Sequence, residues 1–254
     1  MKQIHEANGQ ADSAKPLAGK VALVTGGSRG IGRAIAGKLA HLGADVSICG
    51  RDEGSLLRAA TEIERAGVRV HAQKADVTCS GDVTALVQAT GKKLGPITVL
   101  VNNAGIGMFG PVQEKSEEDW DRALGTNLKS VFMVSRAVIP GMIARKNGDV
   151  INISSLAGKN TFAGGGLYCA SKWGLHGLTG CMAEDLRGFG IRVSAICPGS
   201  VATDFAGRGS NDPAKVLTAE DVAHAVGMVV TQGPQSFISE VHLRPVGKPG
   251  AKSP

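Results

Sequence analysis

The chain has 254 residues, 43% hydrophobic and 20% charged, which allows one sizeable domain or at most two small ones. Its 36 glycines are roughly twice the ordinary share of about 7% and show neither a collagen period nor a Gly/Ser tract, so they serve turns and close backbone approaches. No run of 18 apolar residues occurs, the most apolar long stretch (130–144) is broken by Ser135, Arg136 and Pro140, and the first twenty residues hold no apolar signal core. These features argue against a membrane-spanning helix and against Sec-type secretion. Of the net charge of +6, Arg244, Lys248 and Lys252 place three units near the C-terminus. No basic face is interleaved with aromatics, so a nucleic-acid partner is not expected. Five cysteines (Cys49, Cys79, Cys169, Cys181 and Cys197) are scattered without a C-x-x-C pair. Neither a disulfide framework nor a metal site is implied, and a reducing, cytoplasmic setting fits.

In chain order, residues 1–18 and 245–254 read as mobile tails around one domain at 19–244. Within it, β-rich apolar runs at 21–25, 45–49, 68–72, 97–102, 149–154, 191–197 and 237–243 alternate with helical patterns at 30–42, 53–66, 80–93, 116–145, 167–188 and 218–231. This alternation predicts an α/β fold, a doubly wound parallel sheet of about seven strands. Strands such as VALV and ITVLV are apolar at consecutive positions, as expected when helices cover both faces. Ligands in such sheets bind beyond the carboxyl ends of the strands, where the strand order reverses.

The first strand runs into Thr25-Gly26-Gly27-Ser28-Arg29-Gly30-Ile31-Gly32 and then directly into a helix. Glycines at 26, 30 and 32 permit a tight turn and close approach of a pyrophosphate to the helix N-terminus. The spacing G-x-x-x-G-x-G differs from the commoner dinucleotide fingerprint, and an ordinary Gly-rich turn stays open as the alternative. After the second strand, where NAD-binding folds place an acid for the ribose 2′-hydroxyl, this chain has Gly50-Arg51. Arg51 together with Arg29 suits a 2′-phosphate through charge-assisted bonds, the alternative being two solvated surface arginines. Asp52 and Glu53 read as the acidic start of the next helix.

The only tyrosine, Tyr168, precedes Lys172 by four residues in a helical pattern, which puts both on one helix face. An ammonium beside a phenol lowers the phenol pKa toward neutrality, as a proton donor and acceptor for a carbonyl/alcohol pair requires. Ser154 and Ser155 end the fifth strand, at its carboxyl edge. Asn127 lies within a helical pattern, where Asn is a poor choice by propensity.

These residues together resemble the short-chain dehydrogenases/reductases, in the subgroup of the 3-oxoacyl-acyl-carrier-protein reductases, over about residues 18–243. The motifs carrying the resemblance are TGGSRGIG at 25–32, Asp76-Val77, Asn102-Asn103-Ala104-Gly105, Asn127, Ser155, Tyr168-x-x-x-Lys172 and the run from Pro198 through Gly199, Ser200, Val201 and Ala202 to Thr203. The resemblance implies a Rossmann-like fold and NADP(H) held by Gly26, Ser28, Arg29, Gly30, Ile31, Gly32, Arg51, Asp76, Val77, Asn103, Ala104, Gly105, Tyr168, Lys172, Pro198, Gly199, Val201 and Thr203. It also implies that Tyr168 exchanges the proton, Ser155 polarises the carbonyl, Lys172 binds the nicotinamide ribose and tunes Tyr168, and Asn127 holds a water in a proton relay. The substrate would be a small carbonyl or alcohol and the assembly a homodimer or homotetramer, with no membrane or nucleic-acid partner.

Three features are not explained by the resemblance. The segment 204–215, where a substrate lid belongs, is polar and Gly-rich, the C-terminus lacks an Asp-Gly-Gly after the last strand, and an aromatic content of 4% argues against a pocket that stacks an aromatic substrate. His176 and His224 lack partners at metal spacing, Cys169 reads as a packed helix residue, and Trp120 and Trp173 as helix-packing residues. The leading expectation is an NADP(H)-dependent carbonyl reductase acting on a 3-oxoacyl thioester or similar ketone. An idle NADP(H)-binding regulatory protein and an epimerase or dehydratase are the alternatives.

Overall fold

In a computed structural model the described residues are 15–203, 205 and 216–247. Seven strands form one parallel sheet in the order β3-β2-β1-β4-β5-β6-β7. They are β1 (Val21–Thr25), β2 (Asp45–Gly50), β3 (Val70–Lys74), β4 (Val99–Asn102), β5 (Gly148–Ile153), β6 (Ile191–Pro198) and β7 (Glu240–Leu243). The helices are α1 (Gly30–His41), α2 (Glu53–Glu64), α3 (Ser80–Lys93), α4 (Glu117–Leu124), α5 (Ser130–Arg145), α6 (Gly166–Arg187) and α7 (Ala219–Val230). The order of the sheet reverses between β1 and β4, which opens a crevice beyond Thr25 and Asn102. None of these helices is long and apolar enough to cross a membrane.

Each strand feeds two cores because successive side chains point to opposite faces. Ala22 and Val24 of β1 pack with Ile35 and Leu39 of α1, Leu56 of α2 and Val226 of α7. Val21 and Leu23 pack on the other face with Leu86 of α3, Val138 and Met142 of α5 and Leu186 of α6. This two-sided burial is the physical reason for the unbroken apolar runs of the strands.

A polar network threads the second layer. Asn102 donates through Nδ2 to Asn152 Oδ1 at 2.9 Å and to Ser135 Oγ at 3.1 Å, and Asn152 donates to Thr179 Oγ1 at 2.9 Å. All four side chains are buried, so β4, β5, α5 and α6 are registered by bonds that water cannot replace.

The element bounds differ from the sequence expectation where side chains compete with the ladder. Strand β3 begins at Val70 rather than 68, because the Arg69 amide donates to Asp45 Oδ1 at 2.8 Å. Strand β7 begins at Glu240 rather than 237, because the Ile238 carbonyl accepts from Ser194 Oγ and not from a strand amide. The helix expected over 116–145 contains a π turn at Gly125–Lys129 between α4 and α5. Leu17, assigned to the N-terminal tail, is buried and donates its amide to Leu42 at 2.8 Å. Pro245, Val246 and Gly247, assigned to the C-terminal tail, line the crevice. Trp120 on α4 and Trp173 on α6 are about half exposed rather than packed between helices, and the inward face of α6 is occupied by Tyr168, Lys172, Leu175 and Thr179.

Asn152→Leu should lower stability by about 1–3 kcal/mol for each group left without its partner. Adding Asn102→Leu should cost less than its effect alone, since the bond from Asn102 to Asn152 is already lost in the first mutant. Denaturant midpoints of the two single mutants and the double mutant test this, and additive losses would show that the amides are not coupled.

Candidate active site

A cleft of ≈ 1590 Å³ runs from the glycine turn to the end of β6, lined by residues from both sides of the strand reversal. A single small-ligand site commonly occupies about 300–1,000 Å³, so this cleft has room for an extended ligand and a second molecule beside it.

At one end, Gly26 and Gly30 adopt positive φ values of 65° and 52°, which side chains rarely tolerate. A Cβ on Gly32 would lie 2.2 Å from the Gly26 carbonyl oxygen, so the helix and turn close on each other only with glycine there. Arg29 caps α1 without a side-chain bond, and the first turn has no acid. The leading amides of α1 and its positive dipole end therefore face the cleft free for an anion. Asn103 fixes the turn from β4: Nδ2 donates to the carbonyls of Thr25 and Gly26 at 2.9 and 3.2 Å, and the backbone amides of Asn103 and Ala104 donate to Thr25 Oγ1 at 3.0 and 3.1 Å. These observations fit a dinucleotide pyrophosphate.

Beyond this turn, Ser28, Arg29, Gly50, Arg51, Asp76 and Val77 line the cleft. Both arginines are exposed. Asp52 caps α2 by accepting from the Ser55 amide at 2.8 Å, as its acidic helix-start reading expects. Asp76 Oδ1 accepts from the Thr78 amide and hydroxyl, at 2.9 and 2.7 Å, which holds the loop after β3.

At the other end, Ser155, Tyr168 and Lys172 line the same cleft. Ser155 follows β5 in extended backbone, where its Oγ accepts from the Ala157 amide at 3.1 Å and lies 3.4 Å from the Pro198 carbonyl. Tyr168 and Lys172 are one turn apart on α6, with the Lys172 Nζ 5.8 Å from the centre of the phenol ring. Lys172 is almost wholly buried, and its Nζ donates to the Ile153 carbonyl at 2.9 Å.

Burial lowers the Lys172 ammonium to about 8, with Cys197 opposing the shift. Burial likewise pushes the Tyr168 phenol up to about 12, while the facing Ser155 hydroxyl pulls the other way. The expectation that Lys172 would bring the phenol toward neutrality is therefore corrected for the cofactor-free protein. Desolvation is the largest influence on the phenol, and it raises the pKa.

Asn127 sits in the π turn, fully buried. Its Oδ1 accepts from the Ile106 amide at 2.8 Å, and Nδ2 donates to the Ile106 carbonyl and Ser171 Oγ, each at 3.0 Å. The π turn aims this amide inward, which accounts for an Asn where helix propensity disfavours one. The missing Cβ of Gly105 would lie 3.2 Å from Asn127 Oδ1 and 3.9 Å from Lys172 Nζ, so glycine keeps the space between them open. Pro198, Gly199, Val201 and Thr203 line the wall after β6, and Thr203 Cγ2 would lie 3.4 Å from a Cβ on Gly30.

Sequence reasoning missed the aromatic wall. Phe109 and Phe205 pack edge-on to Tyr168, with ring centres 5.3 and 6.0 Å away, and Phe162 lies 6.0 Å from Phe109. Three of the six phenylalanines converge here from loops far apart in sequence, which a low aromatic content does not foretell. Ser154 Oγ is also buried here without a hydrogen-bond partner. The expected lid at 204–215 lies outside the described residues apart from Phe205. Cys169 is buried in α6 as expected. His176, however, does have partners: Cys197 and Glu240 lie beside it.

Residues 20–214 match the family model described as short chain dehydrogenase. A protein of Streptomyces violaceoruber, named as a ketoacyl reductase of the granaticin polyketide synthase, is 41% identical over 198 residues, covering 77% of this chain and 71% of that one. Glycine betaine reductase ATRR of Emericella nidulans is 35% identical over 244 residues, and this chain spans 92% of its own length but 19% of that far longer protein. The crystal structure of a metagenomic short-chain oxidoreductase in complex with NADP is 43% identical, with a TM-score of 0.81 and coverage of 92% of this chain and 100% of that one.

The pH dependence of stability follows from Lys172. Below pH 8 its ammonium is charged folded and unfolded, and the folded state bears the whole desolvation cost. Above about 8 the folded protein releases a proton that the unfolded chain keeps until its ordinary 10.5, so stability rises over that window. Lys172→Met should stabilise the cofactor-free protein at pH 7 by about 1–2 kcal/mol, after allowing for the lost bond to Ile153. Denaturation at pH 7, 8, 9 and 10 checks both points: wild type should gain on the mutant as pH rises, and a constant difference would refute the assignment.

Proposed function

The chain belongs to the short-chain dehydrogenase/reductase family, and from that premise we propose that it is an NADP(H)-dependent oxidoreductase that reduces a carbonyl to an alcohol. A 3-oxoacyl thioester or a similar small ketone is the proposed substrate. The observation that carries this reading is the convergence of Ser155, Tyr168 and Lys172 in one cleft with the glycine turn. The NADP held by the 43% identical neighbour supports the cofactor, and the ketoacyl reductase name of the Streptomyces relative supports the substrate class.

Gly26, Ser28, Gly30, Ile31 and Gly32 would receive the pyrophosphate on the free amides of α1. Arg29 and Arg51 would hold the 2′-phosphate, Asp76 and Val77 the adenine, and Asn103, Ala104 and Gly105 the adenosine half. Pro198, Gly199, Val201 and Thr203 would fix the nicotinamide amide. NADPH, when bound, supplies the hydride.

The protein's share is proton control and orientation. Tyr168 is protonated at neutral pH because burial holds its phenol high, the form a proton donor to a nascent alkoxide needs. Ser155 directs its hydroxyl toward the same oxygen and polarises the carbonyl. Lys172 would bind the ribose hydroxyls through its ammonium and stabilise the phenolate left after transfer. One lone pair of Asn127 Oδ1 remains free of the bonds to Ile106, and with the space kept by Gly105 it can hold a water that returns a proton toward Lys172. Phe109, Phe162 and Phe205 offer an apolar wall beside the phenol, which suits a substrate with a hydrocarbon arm next to its carbonyl.

Loss of NADPH absorbance with a panel of ketones and β-ketoacyl thioesters tests the reading. Tyr168→Phe should reduce turnover by about 10²–10⁴ while NADPH affinity changes within a few-fold, and full activity in this mutant would end the assignment.

Preference for NADPH over NADH should be about tenfold or more at low salt, because Arg29 and Arg51 attract the extra phosphate charge and Gly50 stands where an acid would repel it. Both arginines are exposed, so the ratio should shrink as salt rises. Gly50→Asp with Arg51→Ala should lower or invert it. A Cβ at Gly50 comes within 3.0 Å of Ser28 Oγ, so Ser28 must rotate in that variant. Equal kcat/KM values for the two cofactors in the unmutated protein would make both arginines bystanders.

A further inference from the structure

Behind the cleft, three elements bring together a chemically distinct set of side chains. His176 extends from α6 one turn past Lys172, Cys197 lies in β6, and Glu240 opens β7. Each offers one ligand atom, and the three atoms all lie within 4.8 Å of one another. Cys197 Sγ is 3.7 Å from His176 Nε2 and 3.7 Å from Glu240 Oε1.

We propose that His176, Cys197 and Glu240 form a binding site for a thiophilic divalent cation of the Zn²⁺ class. Thiolate, imidazole and carboxylate are the donor types such an ion takes, and tetrahedral zinc bond lengths put neighbouring donors about 3.4–3.6 Å apart. The two distances to the sulfur are already near that value, while the imidazole and carboxylate ligand atoms, within 4.8 Å of each other, must close further. The imidazole is closely confined. A Cβ on Gly158 would lie 2.5 Å from His176 Nε2, so glycine alone leaves room for the ring. The Ser155 carbonyl also interacts with the His176 ring, the outer support that a ligating histidine usually has.

Two neighbours shape the site. Lys159 Nζ pairs with Glu240 Oε2 at 3.1 Å, leaving Oε1 turned to the sulfur. His242 hydrogen-bonds that Oε1 from the open side of β7, and it or water can complete the coordination. Cys197 is fully buried while Glu240 is partly exposed, so the ion would enter past Glu240 and meet no substrate. The role is therefore a structural clamp joining α6 to β6 and β7 directly behind Lys172.

A cysteine, histidine and glutamate could instead be a nucleophilic triad, and His176 does turn Nε2 to the thiol and Nδ1 toward Glu240 Oε1, 3.9 Å away. Cys197, however, is fully buried with no open face for a substrate, and Glu240 Oε1 contacts the sulfur directly as well. Burial and Glu240 push the thiol up to about 12, so metal binding forms the S–metal bond as the S–H bond breaks and the proton passes to solvent.

Co²⁺ titrated into the untagged full chain under reducing conditions tests the proposal, since a cysteine thiolate gives a sulfur-to-cobalt charge-transfer absorption. The expected result is a band saturating at one Co²⁺ per chain, displaced by Zn²⁺ and unchanged in Cys79→Ser/Cys181→Ser, which removes the two exposed thiols. Cys197→Ser should abolish the band. Glu240→Gln, a near-isosteric change at a partly exposed position, should keep it while weakening affinity by more than the 10- to 100-fold typical of losing an outer-shell partner. No band, a band kept in Cys197→Ser, or full affinity in Glu240→Gln would each overturn the site.

Discussion

An ammonium shut away from water organises the functional end of this protein. Lys172 is almost wholly buried, and the Ile153 carbonyl at 2.9 Å is its hydrogen-bond acceptor. A charge in that position is unstable unless something nearby compensates it, and the surroundings suit a hydroxylated ligand. Gly105 leaves space on one side, Asn127 Oδ1 borders that space, and Tyr168 stands one helical turn away. The buried charge destabilises the fold locally, and the two apolar cores must offset that cost.

The rigidity that holds this strain comes from the polar network in the same layer. Asn102, Asn152, Ser135 and Thr179 bind β4 and β5 to α5 and α6 through contacts with no access to solvent. Because α6 carries both Tyr168 and Lys172, and β5 leads through Ile153 to Ser155, the network would fix the distances on which the proposed proton transfer depends. The other end of the cleft is organised differently. Its arginines lie in solvent, where attraction is screened and adjustable, while the backbone beneath them is locked by Asn103 and by the glycine contacts. Rigid backbone with mobile charge suits recognition of a phosphate whose position the turn already determines.

Much of this was legible in the sequence because the information is local. Consecutive apolar residues in β1 and β4 marked strands covered on both sides, and the glycine turn could be placed between a strand and a helix. Tyr168 and Lys172 are four residues apart, so helical geometry alone puts them together. What the sequence hid depends on contacts between distant segments. Composition counted few aromatics yet could not show Phe109, Phe162 and Phe205 meeting at one phenol. Spacing could not pair His176 with Cys197 and Glu240, since a parallel sheet joins strands through long crossovers. The phenol pKa was misjudged for the same reason: the i, i+4 neighbour was visible, and the burial that overrides it was not.

That last difference bears on how the site would work. A phenol held near 12 is a weak acid that stays protonated at neutral pH, so the cofactor-free protein is poised in the protonated state that reduction would consume. Charge stabilisation by Lys172 matters only once the phenol has given up its proton, when a phenolate appears near the ammonium in a low-dielectric pocket. The depressed Lys172 pKa of about 8 makes that ammonium responsive to its neighbours: a phenolate restores its grip on the proton, and a neutral phenol loosens it. A phenolate and the ammonium would therefore titrate as a coupled pair, and the gap that Gly105 keeps beside Asn127 is where the proposed proton return would pass.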